Sequence, residues 1–159
     1  MANINHAERA KELFLEGYNC SQSVVLAFED MYDMDAKEVL RLCSPFGGGM
    51  GRLREVCGTV SGMYMVLGML YGYNDPKDYE GKKELYARVQ ELARRFREEN
   101  GSIVCRELLG LDHKSDESVP EKRTEEYYKK RPCPDLCACA AGILEKYIEE
   151  NPPKKFNTL

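Results

Sequence analysis

The side chains in this sequence best suited to do chemistry are seven cysteines in 159 residues: Cys20, Cys43, Cys57, Cys105, Cys133, Cys137 and Cys139. Their load is above ordinary usage and below the level that marks a small disulfide scaffold. The N-terminus, Met1-Ala2-Asn3-Ile4-Asn5-His6, has no basic region followed by an apolar run. No secretory signal is read there, and a cytoplasmic location with reduced thiols is expected. Thiols at this density then point to redox chemistry or a metal site more than to structural bridges. The count is odd, so pairing within one chain leaves at least one thiol free, bound or bridging to a second chain. No Cys-x-x-Cys occurs, which removes the thioredoxin-type motif and the usual zinc-knuckle spacing. Any four-thiolate site must be assembled from cysteines far apart in the chain.

The elements that would do this read as helices. Ala7, Ala10, Leu13 and Phe14 share one face of a helix over 5–16 that Gly17 stops. A second helix starts near Cys20 and groups Val24, Val25, Phe28 and Met31; a third spans 36–42 with Asp35 as its N-cap. A glycine-rich loop, Pro45 to Gly51, follows. From Val56 to Tyr73 there is no charged residue. That length just reaches the membrane-spanning range. Its glycines, hydroxyls and tyrosines make it instead the central buried helix of a bundle, and Gly58/Gly62 and Gly68/Gly72 would admit a close neighbour. Asn74-Asp75-Pro76 is a turn. A long amphipathic helix covers 79–99, with Leu85, Val89, Leu92 and Phe96 as its apolar stripe. A short helix holds Ile103 to Leu109, a polar surface loop covers 111–131 with a short helix near 124–130, and the last helix runs from Cys133-Pro134 to Glu150. The expected fold is all-α: a compact bundle of about six or seven helices around the glycine-rich 56–73 helix. One domain over 1–150 and an irregular tail over 151–159 complete it. The uncharged helix could pack against its symmetry mate, so a homodimer is one expectation.

Cys20, Cys57 and Cys133 fall at helix starts, with Arg54 near Cys57 and Arg131 near Cys133. The positive end of a helix dipole and a nearby cation lower a thiol pKa, and nucleophiles and metal ligands both need the thiolate. On its own Cys105 reads as a mid-helix core residue, and Cys43 as buried and inert. Cys133 and Cys137 lie one helical turn apart, but packing is the expected role of Cys137 and Cys139. Gly47-Gly48-Gly49-Met50-Gly51-Arg52 lacks the Gly-Lys-Ser/Thr end of a phosphate loop and follows no strand. Its backbone N–H groups could instead form an anion-binding nest near Cys57, reinforced by Arg52 and Arg54.

The pieces Gly17-Tyr18-Asn19-Cys20-Ser21-Gln22, Gly47 to Gly51 leading into Cys57-Gly58-Thr59-Val60-Ser61-Gly62, Cys105-Arg106-Glu107-Leu108-Leu109-Gly110 and Arg131-Pro132-Cys133 occur in that order. In this the chain resembles the redox-active protein family named after a C-GCAxxG-C-C pattern, over about residues 5 to 149. The resemblance assigns the family's cysteines to Cys20, Cys57, Cys105 and Cys133, with Cys105 added by resemblance alone. Thr59 stands where the family has alanine; it is small too, and its hydroxyl could donate to a thiolate.

Three uses of these four cysteines follow. They could ligate an iron–sulfur cluster or another thiolate-bound metal such as zinc or copper(I), as the metal site of an electron-transfer protein. They could act as catalytic thiols of a metal-free dithiol oxidoreductase, with Cys20 or Cys57 attacking first. They could serve a non-catalytic protein that stores metal or binds a partner. Against all three stands a bundle whose cysteines are merely buried. The net charge of −4 argues against a nucleic-acid partner. His6 and His113 are expected at the surface rather than as ligands, and nothing names the redox partner.

Overall fold

A computed structural model describes residues 4–154. Its elements are α1 (His6–Glu16), α2 (Cys20–Ala27), α3 (Ala36–Cys43), α4 (Gly47–Met50), α5 (Gly58–Tyr71), α6 (Tyr79–Asn100), α7 (Cys105–Leu108), α8 (Glu125–Lys130) and α9 (Cys133–Glu150), with 3₁₀ turns at Glu29–Met31 and Ser44–Phe46. The fold is all-α: among the described residues the only β-type pairing is one antiparallel bridge, Val56 to Val104. Residues 151–154 continue without helix, and the rest of the expected tail lies outside the described residues.

Local chemistry sets the helix ends. Asn5 accepts from the Glu8 N–H, Asp35 from the Lys37 and Glu38 N–H groups, Asp78 from the Gly81 N–H and Thr124 from the Tyr127 N–H. Asn19 and Gln22 form a reciprocal capping box at the start of α2. Each such cap is worth about 1 kcal/mol. Gly17 and Gly101 close α1 and α6 in the left-handed conformation. The second helix is shorter than its apolar spacing predicts. It ends at Ala27, and Met31 sits in the 3₁₀ turn that follows.

Phe14 of α1, Val24 and Val25 of α2, Val60, Met63 and Leu67 of α5, Leu92 and Phe96 of α6 and Leu144 of α9 fill the core, joined by Phe28. α1 lies along α9, α2 packs on α1 and α5, and α5 also touches α6 and α9. No helix among the described residues is long and apolar enough to cross a membrane. Of the two small-residue pairs, one does what its spacing suggests. A Cβ on Gly62 would stand 2.8 Å from the Ser21 carbonyl oxygen, so α2 rests directly on the α5 backbone. Gly68 meets nothing within 4 Å, and Gly72 is the C-cap. The C-terminal half of α5 is accordingly half-buried at Tyr64, Met65 and Met69 rather than enclosed.

The expectation for His6 is corrected. It is buried, stacked on Phe28 with centroids 4.2 Å apart. Its Nδ1 lies 2.6 Å from Glu145 and its Nε2 3.0 Å from Asp30. Polar neighbours in sequence gave no sign that two distant carboxylates would enclose it. His113 is exposed, as expected.

Candidate functional site: a four-cysteine cavity

Cys20, Cys57, Cys105 and Cys133 line one cavity of about 60 Å³. Each stands at a helix start. Cys20, Cys105 and Cys133 are the first residues of α2, α7 and α9, and Cys57 is the N-cap of α5. Cys105 is thus not mid-helix. The chain from Ile103 stays extended and pairs with 55–57, which delays the helix to residue 105. That pairing fixes two thiols at once. The Cys57 N–H donates to the Ile103 carbonyl (2.8 Å), and the Cys105 N–H to the Glu55 carbonyl (2.6 Å). Each cysteine follows a bridge residue, so both side chains turn to the face opposite Val56 and Val104.

The glycine loop encloses the opposite side. Gly48, Gly49, Met50, Gly51, Arg52 and Arg54 all have positive φ, between 59° and 71°. Three of these are not glycine, and each such residue costs on the order of 1–3 kcal/mol. Close approach explains why the chain turns so sharply. A Cβ on Gly49 would lie 2.6 Å from the Cys105 Cβ, and one on Gly58 2.3 Å from the Cys20 sulfur. The loop bears on Cys20 rather than Cys57: burial raises the Cys20 thiol, and the Gly48 backbone N–H acts the other way. Cys57 is held by Thr59, whose hydroxyl lies 3.1 Å from the sulfur, as the family departure at that position suggested. Arg54 is buried and reaches Cys105 rather than Cys57, with Nη1 3.7 Å from the sulfur.

All seven cysteines are free thiols. For Cys20, Cys57 and Cys133 the expected lowering of the thiol pKa is reversed. Burial pushes Cys20 and Cys57 up, and ionised neighbouring thiols raise them further. Burial pushes Cys133 up to about 12, with Arg131 and Arg123 acting the other way. Loss of water outweighs helix dipoles and arginines here, because an isolated thiolate in an enclosed apolar site has little else to solvate it. Cys20 is the hub. Its charge raises Cys57, Cys133 and Cys137, and the charge on Cys105 raises Cys20.

Phe14, Leu108, Leu109 and Leu136 supply apolar walls, and Arg54, Arg123 and Arg131 cationic ones. Tyr127 lines the same cavity, where burial, and after it the Cys133 charge, raises its phenol pKa. Among the described residues no three His, Cys, Asp or Glu side chains come close enough together to hold a single metal ion.

A family described as "Putative redox-active protein (C_GCAxxG_C_C)" matches residues 18–147. The chain belongs to this family. The matched region takes in all seven cysteines, the four that line the cavity among them. No curated protein and no solved structure matches the chain.

The remaining cysteines divide. Cys43 is fully buried against the Leu40 carbonyl. Cys139 is half-buried, packs against the edge of the core and donates to Glu99 (3.0 Å) in a surface groove. Cys137 is fully buried behind the cavity, its sulfur 4.0 Å from the Cys20 carbonyl. Arg123 was not legible in the sequence. It sits in a polar stretch without periodicity, yet it donates to the Phe14 and Tyr18 carbonyls and lies 4.1 Å over the Phe14 ring.

The polar segment read as a plain surface loop is a strap across the glycine loop. Asp116 Oδ2 accepts from Arg54 Nε (2.7 Å), and Asp116 Oδ1 lies 2.7 Å from His113 Nε2. Asp112, then Asp116, raises the His113 pKa above its ordinary 6.5; Arg54, then His113, lowers that of Asp116. The raised histidine contributes to holding the strap at pH below 6.5, and that contribution is lost as pH rises through the folded value. The lowered Asp116 contributes above its ordinary 3.8 and is lost as pH falls through its depressed value. In an NMR titration His113 is expected to titrate above 6.5, and Asp116→Asn to move it down. An unmoved midpoint would show that the contact does not form in solution.

Proposed function

We propose that Cys20, Cys57, Cys105 and Cys133 form an electron-transfer centre holding an iron–sulfur cluster. The observation that carries this is four thiols, from four separate helix starts, arranged around one enclosed cavity rather than collected at a point. A single zinc or copper ion needs thiolates about 2.3 Å from itself, hence about 4 Å from one another. Among the described residues no three such donors gather at one point, which favours a larger occupant. In a cluster the thiolates bind different irons, and a body must fit between them. One water needs about 10–15 Å³ of such volume, so about 60 Å³ is room for a polyatomic occupant.

The donor set and its surroundings fit that group. The cluster would supply one-electron chemistry. The chain would supply four sulfurs, apolar walls that exclude water, and offsets for anionic charge from Arg54, Arg123, Arg131 and the Gly48 N–H. Because burial raises the Cys20, Cys57 and Cys133 thiols, binding iron would release protons, and uptake is expected to weaken as pH falls. Anaerobically purified protein is expected to contain iron and sulfide and to absorb broadly in the visible. Stoichiometric zinc or copper, or a colourless metal-free protein, would overturn the cluster.

A second reading rests on the closeness of Cys20 to Cys57. The Cys20 sulfur lies against Gly58, and its charge is the largest like-charge influence on Cys57. Two thiols could there become a disulfide, releasing two protons and passing two electrons to a partner's disulfide. Metal-free protein that forms a Cys20–Cys57 disulfide in a redox buffer would favour it.

A further inference from the structure

In front of the thiol cavity lies a second cavity of about 260 Å³, lined in part by Gly48, Arg52, Arg54, Glu121, Arg123 and Arg131. It shares Asn19, Gly48, Arg54, Arg123, Tyr127 and Arg131 with the inner one, so the two are adjacent. Its charge is unbalanced. Four guanidiniums meet two carboxylates, in a protein whose net charge is −4. Asp116 is bound to Arg54 (2.7 Å), and Glu121 is engaged by Arg131. The Arg52 guanidinium approaches Asp116 and Glu121 only at 3.9 and 3.8 Å, and among the described residues its one hydrogen bond is from Nε to the Glu117 carbonyl. Arg123 donates to two carbonyls and makes no ion pair among the described residues.

We propose that this outer cavity binds a small oxyanion, of phosphate, sulfate or carboxylate type. Guanidinium N–H groups are arranged in pairs that match such oxygens, and enclosure strengthens each contact. Drug-sized ligands occupy roughly 300–1,000 Å³, so this volume suits an inorganic oxyanion or short organic acid. The glycine loop that closes the thiol cavity forms one wall, which would set the anion directly before the thiols. The site stands on its arginines alone and does not require that the inner cavity hold a cluster.

The test is calorimetric titration with inorganic phosphate and sulfate, against chloride at matched ionic strength. The wild type is expected to bind both oxyanions well above chloride. Arg52→Gln should weaken binding about tenfold, the weight of one charge-assisted hydrogen bond. Glu121→Gln should strengthen it several-fold, because it releases Arg131 and Arg52 from a competing carboxylate. Opposite signs from two neighbouring substitutions cannot both come from misfolding. Binding no better than chloride, or Glu121→Gln weakening it, would overturn the proposal. A parallel titration with AMP separates a free oxyanion from the phosphate of a larger metabolite, and AMP binding more tightly than phosphate would overturn the small-ligand assignment.

Discussion

Alanine at Gly58 is expected to break the centre without removing a cysteine. The added Cβ would lie 2.3 Å from the Cys20 sulfur, 2.8 Å from the Phe46 carbonyl oxygen and 3.2 Å from the Ser21 nitrogen. Two of these are backbone atoms, held by the capping box of α2 and the turn before the glycine loop, so they cannot swing aside. Overpacking of this kind costs about 1–3 kcal/mol, and a chain of this size loses roughly 2–4 °C in Tm for each. Gly68→Ala makes the comparison sharp. It is the same change in the same helix, where the new methyl meets nothing within 4 Å. There the gain in helix propensity, about 0.5–1 kcal/mol, should leave the protein equally or more stable. Thermal melts with iron analysis on the same samples read both effects. Equal stability and equal iron in the two variants would mean that α2 does not rest on Gly58 as described.

Cys20→Ser should abolish the proposed centre. Cys20 is the thiol whose charge reaches Cys57, Cys133 and Cys137, and it also feels Cys105. Partners that merely support a metal ligand are worth roughly 10–100-fold in affinity, and a ligand is worth more, so bound iron and visible absorption should be lost. Serine keeps the size and removes the sulfur, which separates chemistry from packing. Cys43→Ala and Cys139→Ser are the controls: one is buried against Leu40, the other donates to Glu99 in a distant groove. Both should retain iron. If either control loses iron as fully as Cys20→Ser, the assignment of the centre to Cys20, Cys57, Cys105 and Cys133 fails.

Helix boundaries were readable because they are encoded within a few residues. Asp35 before α3, Gly101 after α6 and Pro134 in the first turn of α9 are local signals, and the structure uses each of them. The helix starts at Cys20, Cys57 and Cys133 were readable for the same reason. Cys105 was not, because its place depends on Val104 pairing with Val56, far away in the chain and outside any periodic pattern. The same holds for His6 between Asp30 and Glu145, and for Arg123 reaching back to Phe14. The thiol pKa values were misjudged in sign for a related reason. Helix position and neighbouring arginines are visible in a sequence, whereas the depth of burial that overrides them depends on how separate elements close together.

The bridge between Val56 and Val104 and the placing of Cys133 at the head of α9 also set a timetable. A ribosome makes about 5–20 residues each second, N-terminus first. Cys20 and Cys57 emerge long before the segment that positions Cys105, and Cys133 arrives with the final helix. Until α9 docks along α1, the cavity lacks its fourth sulfur and the Leu136 wall, and the earlier thiols remain open to solvent and oxidants. Enclosure of the four thiols therefore belongs after synthesis, to an almost finished chain, and a nascent protein stalled before residue 133 would carry three of the four thiols with no enclosure to protect them.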